Sequence, residues 1–197
     1  QIENEFYGTF RPNRVIFQGE RPLHALRERG VEYVEVRLMD LNPFETVGIN
    51  SQTMRFLDVF LLHCLLTDSP PDTPQEIVEL AHNQHRVAER GREPGLELER
   101  GAGTVTLVDW GLELIAQLQP IAQSLDAAHN STDYSSAVAA AEHAMHHPDT
   151  LPSARVLQAV TERFDGSFVA FVKAQSALTK QAMLDAPLAV ETREHFD

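Results

Sequence analysis

An α+β fold is predicted for this chain: N-terminal antiparallel strands followed by a C-terminal helical bundle. Two patterns predict it. Up to about residue 49 polar and apolar residues alternate, the period of a half-buried strand. From Asn50 onward apolar residues recur at helical spacing, punctuated by capping residues and prolines. The composition is that of a globular protein, with 43% hydrophobic and 23% charged residues. At 197 residues the chain can bury one sizeable core or two small ones. Two regions are expected: 1–49, strand-rich, and 50–197, mostly helical.

The opening stretch Gln1–Tyr7 alternates, with Glu3, Glu5 and Tyr7 on one face and Ile2 and Phe6 on the other. Arg11-Pro12-Asn13-Arg14 turns into Val15-Ile16-Phe17. Pro22 to Arg29 is a short helix, with Pro22 at its first position and Gly30 ending it. The strand that follows is central. Val34, Val36 and Leu38 share one apolar face, and Tyr33, Glu35 and Arg37 share the other. Clustered carboxylates repel unless a cation sits among them, and hard oxygens suit magnesium better than zinc. The pattern therefore points to a metal-and-phosphate face. An ordinary solvent-facing stripe shows the same alternation.

Asn50 or Ser51 caps a helix with Met54, Leu57, Phe60, Leu61 and Leu65 on its apolar positions, ending before Ser69-Pro70-Pro71. Thr73-Pro74-Gln75-Glu76 is a capping box that opens a helix running to about Glu89. Gly101-Ala102-Gly103 lacks the spacing of a phosphate-binding loop and reads as a loop. Further helices are expected over 109–128, 132–146, 153–163 and 167–186.

A net charge of −13, from 16 basic and 29 acidic residues, argues against a nucleic-acid surface. It fits a cytoplasmic protein. No run reaches the roughly eighteen apolar residues of a membrane span, and no membrane partner is expected. The chain opens on Gln1 with neither an initiator methionine nor a signal peptide, and it is expected to be a piece of a longer polypeptide. Cys64, the single cysteine, lies in an apolar run and is expected as a buried structural thiol. His143, His146 and His147 could bind a metal, but a helix end before Pro148 also favours such residues through the helix dipole. His82, His85, Arg86, Arg90 and Arg92 could meet a phosphate or pair with Glu76, Glu79 and Glu89 along their helix; pairing is the expectation. Trp110 reads as core or loop anchoring.

Three ordered motifs carry a resemblance: Q-I-E-N-E-F-Y (1–7) followed by Arg11-Pro12, G-V-E-Y-V-E-V-R (30–37), and D-L-N-P-F (40–44). In these the chain resembles the C-terminal part of the proteobacterial glutamate–cysteine ligase family. Arg55-Phe56-Leu57-Asp58 and Arg92-Glu93-Pro94-Gly95 extend the match. The resemblance implies that the strands come from a glutamine-synthetase-like catalytic sheet. It also implies an ATP-dependent reaction joining the γ-carboxylate of L-glutamate to the amine of L-cysteine through a γ-glutamyl phosphate, the first step of glutathione biosynthesis. Magnesium is the implied metal, with manganese as an alternative, and ATP is the co-substrate.

By the same resemblance, Glu35 matches a metal-binding carboxylate and Arg37 an arginine that contacts glutamate or the transferring phosphoryl group. Tyr7 matches a tyrosine of the cysteine pocket, and Glu3 and Glu5 are secondary candidates on its face. Most metal ligands and much of the nucleotide site are implied to come from an N-terminal portion absent here, so this chain alone is expected to be inactive. Two alternatives remain: another ATP-dependent carboxylate–amine ligase, or a non-catalytic helical interaction module.

Overall fold

The computed structural model describes residues 9–37 and 39–186. Among them are four short strands, seven α-helices and one 3-10 turn. The α+β architecture is the one the sequence predicts. The chain divides into two compact units, 1–41 and 42–197.

The first unit is a β-ribbon with one helix. Strand β1 (Phe10–Asn13) pairs antiparallel with β2 (Tyr33–Val36), placing Phe10 opposite Val36 and Arg11 opposite Glu35. Pro12 sits in β1 because a two-stranded sheet has only edges, where a missing N–H is tolerated. Helix α1 (Pro22–Arg29) connects the two strands. Gly30 closes α1 at φ +74°, donating its N–H to the Leu26 carbonyl, a backbone shape that side chains resist. The loop before α1 is pinned by Arg29, which bonds the Val15 carbonyl and Glu20 and lies over the Phe17 ring. Arg14 reaches the Arg29 carbonyl at 2.6 Å.

The second unit holds the cores. Helix α2 (Ser51–Leu66) is capped by Asn50, which accepts from Thr53 N at 2.9 Å. Helix α3 (Pro74–Arg90) opens on the predicted capping box, both of its reciprocal bonds between Thr73 and Glu76 being present. A hairpin follows, β3 (Glu97–Arg100) with β4 (Gly103–Thr106), turning through the Gly101-Ala102-Gly103 stretch that the sequence offered only as a loop. Then come α4 (Leu107–His129), α5 (Asp133–His146), a 3-10 turn (Pro148–Thr150), α6 (Pro152–Arg163) and α7 (Phe168–Asp185).

Val59 of α2, Ile115, Leu118 and Ala122 of α4, and Val138 of α5 form the main core. A smaller core joins Ala159 and Val160 of α6 to Phe171 of α7, with Phe44 and Phe164 against it. Helix α5 lacks a side-chain cap of its own. Asp126 of α4 supplies one, accepting from Tyr134 N and Ser135 N at 2.9 Å each.

Cys64 departs from expectation: it is exposed. The core contacts of α2 are made by Phe56 and Val59, and the last turn, including Leu65 and Leu66, projects beyond them.

Candidate functional site on the first β-ribbon

The register of the ribbon decides which side chains meet. Residues paired across an antiparallel ladder point to the same face. Arg11 opposite Glu35 and Asn13 opposite Tyr33 therefore place Arg11, Asn13, Tyr33 and Glu35 together. The ladder continues past the strand end, where Arg37 N donates to the Thr9 carbonyl at 2.8 Å. Arg37 thus stays on the Glu35 face, as alternation predicts.

Glu35 is held from both sides. Its Oε1 accepts from Arg37 Nε at 2.9 Å, and its Oε2 accepts from the Asn13 amide at 3.2 Å. The bond from Arg37 is the largest influence on its ionisation, outweighing the opposing cost of desolvation. With the Asn13 bond and the charges of Arg37 and Arg11, it holds the carboxyl below the usual glutamate range. The face is therefore an ionised carboxylate flanked by two guanidiniums. Such a face can bind an anion through its arginines and offer one hard oxygen to a cation.

Of the residues singled out in the sequence, the structure brings Glu35 and Arg37 together. Tyr7, Glu3 and Glu5 lie outside the described residues. Arg11 and Asn13, which the register sets beside Glu35, were not singled out in the sequence. The available signal was that R-P-N-R could pair with the strand after Gly30, which would place Arg11 and Asn13 on its polar face.

Other clusters resolve differently. Among the described residues no three His, Cys, Asp or Glu side chains converge as metal ligands. His143 and His147 pack on each other, ring centroids 4.3 Å apart. Three basic residues of α3 do pair with carboxylates, but with partners beyond their own helix. Arg86 reaches Glu99 at 2.6 Å, His82 reaches the same carboxylate at 3.2 Å, and Arg90 forks onto Glu93. Trp110 lies under Arg100, 5.0 Å from the guanidinium carbon to the ring centre. In the second unit a cleft of about 560 Å³ lies among the 42–50 loop, α5 and the start of α6, with Glu45, His143 and Arg155 on its walls.

Comparison with known proteins agrees with the motifs. Residues 1–87 match the family model described as glutamate-cysteine ligase. The whole chain is 43% identical to a glutamate–cysteine ligase of Pseudomonas putida KT2440 and 45% identical to one of Janthinobacterium sp. Marseille, covering 37% of each. Among solved structures, a glutamate–cysteine ligase from Francisella tularensis in complex with AMP matches with a TM-score of 0.84 and 31% identity, over 95% of this chain and 36% of that one. A bifunctional glutathione synthetase from Pasteurella multocida matches at 0.65 and 26%, over 92% of this chain and 22% of that one.

Sequence and fold together place the chain with one protein family. It belongs to the glutamate–cysteine ligase family. It spans 37% of the length of the curated relatives, corresponding to their C-terminal part.

Proposed function

We propose that this chain contributes one wall of the active site of an ATP-dependent ligase that joins the γ-carboxylate of L-glutamate to the amine of L-cysteine. The carrying observation is the Glu35–Arg37 pair, locked at 2.9 Å on one face of the ribbon with Arg11 beside it. That arrangement suits a phosphoryl-transfer site, where catalysis is positioning plus charge neutralisation.

The reaction needs two displacements. A γ-carboxylate oxygen of glutamate attacks the γ-phosphorus of ATP, the bond to ADP breaks, and γ-glutamyl phosphate forms. The amine nitrogen of cysteine then attacks the acyl carbon, phosphate leaves with its bonding electrons, and the amine gives up a proton. Arg37 orients the anion, either the glutamate carboxylate or the transferring phosphoryl group, and stabilises charge that grows on its oxygens. Glu35 fixes the Arg37 guanidinium through its Nε and presents an ionised oxygen.

Glu35 has the donor chemistry for magnesium, or manganese, but one carboxylate is a ligand and not a site. The other ligands come from the part of the relatives' length that this chain does not span. Bound magnesium would neutralise phosphate charge there. Tyr7 is assigned to the cysteine pocket by resemblance, with Glu3 and Glu5 as supporting carboxylates. The substrates and ATP fit a cytoplasmic enzyme, and the resemblance of the Francisella protein, solved with AMP, supports the nucleotide.

The test is phosphate release dependent on ATP, glutamate and cysteine. It is run on this chain alone and on a chimera in which the chain replaces the matching segment of the Pseudomonas putida relative. Activity is expected only in the chimera. Glu35→Ala should weaken metal binding and so raise the magnesium concentration needed for half-maximal turnover, and Arg37→Lys should lower turnover by about 10²-fold, because a planar fork becomes a point charge. Unchanged turnover in both variants would sink the assignment.

A further inference from the structure

Helix α3 is turned inside out. Its buried residues are polar: Glu79 is 9% exposed and Asn83 7%. Both face the second hairpin. Asn83 works as a surrogate strand, donating to the Glu99 carbonyl at 2.7 Å and accepting from Glu99 N at 2.8 Å. Glu79 accepts from Gly101 N at 3.1 Å, and Arg86 completes the stripe on Glu99. Turning about 100° per residue, Ile77, Ala81 and Ala88 lie opposite that stripe, with Leu80 and Val87 on one flank and Val78 on the other, and Gln84 and His85 are the polar residues among them. These are the residues a helix normally buries, yet Ile77 is 56% exposed and Leu80 50%.

The two faces cannot be exchanged. Rotating α3 to bury its apolar side would strip Asn83 and Glu79 of backbone partners and leave polar groups on the hairpin unmet. The apolar face is therefore built for something else.

We infer that the apolar face of α3, centred on Ile77 and Leu80, is the docking surface for the portion of the ligase that lies outside this chain. Three observations choose that occupant. The family match runs through residue 87, so nearly all of α3 belongs to the stretch held in common with the family. The chain spans only 37% of its relatives, so a much larger body is available to cover the face. A second copy is disfavoured, because each copy carries a net charge of −13. The inference rests on the proposed function only for the identity of the partner. It gives the incomplete ribbon site a surface through which the remaining portion is held.

The test is thiol labelling of Leu80→Cys in a Cys64→Ser background. It is read in the chain alone and in the Pseudomonas putida chimera, each against the same protein without Leu80→Cys. The expected result is rapid labelling in the chain alone and labelling at least about tenfold slower in the chimera. Equal rates in both would overturn the docking surface, whether or not the chimera is active. Protection in the chain alone that grows with its concentration would replace the occupant with a second copy and overturn the inference. A protected thiol in an inactive chimera would sink the ligase reading and leave the docking surface standing.

Discussion

Glu35 is ionised because of its company. The Arg37 bond and the Asn13 amide favour the charged form, and both depend on a ribbon register that sets Arg11 and Asn13 across from β2. A carboxyl whose folded value is depressed keeps its pairing above the ordinary range and loses it only as pH falls through the lowered value. Carboxyl-carbon NMR should place the Glu35 midpoint below that of an ordinary glutamate. In Arg37→Ala the midpoint should move upward, since the largest favourable contribution is gone. A midpoint unmoved by Arg37→Ala would mean that the pair is absent in solution. Gly30 matters at the same scale. Its positive φ lets α1 end where β2 must begin, and a side chain there would strain the approach to Glu35.

At the scale of elements, helical unit stability rests on α4. This helix supplies Ile115, Leu118 and Ala122 to the main core, while Asp126 caps α5. Leu118 is fully buried between α2 and α5, so Leu118→Ala should cost about 2–5 kcal/mol, the range for a leucine removed from a packed core. Helical circular dichroism during urea unfolding measures it. A loss well under this range would mean that the three helices close over the gap. Asp126 works against the cost of its own desolvation: bonds from Ser135, Tyr134 and Ser131 bring its carboxyl below the usual aspartate range. The cap therefore holds at neutral pH and fails only as pH falls below that range.

At the scale of the whole molecule, much apolar surface faces outward. Leu65 and Leu66 at the end of α2, the outer face of α3, and Phe168, Val169 and Leu184 of α7 are all exposed. Among the described residues no helix is long and apolar enough to cross a membrane. An apolar dye such as anilinonaphthalene sulfonate should fluoresce more with the isolated chain than with the chimera at equal concentration. Equal fluorescence would mean that the remaining portion covers little of this surface.

The sequence by itself determined the local layout: helix starts at Pro22, Asn50 and Thr73, the stop at Gly30, and the alternation that puts Glu35 and Arg37 on one face. These follow from backbone stereochemistry and short-range capping, which act within a few residues. Its motifs also carried the family. Tertiary structure decided what depends on partners distant in sequence. Arg11 and Asn13 joined the site only through strand register, and the second hairpin emerged where the sequence showed a glycine-rich loop. Cys64 turned out exposed because α2 outruns its core contacts. Helix α3 is the clearest case: periodicity separates an apolar from a polar face, but only the edge of β3, with backbone groups that Asn83 can satisfy, decided that the polar face would turn inward.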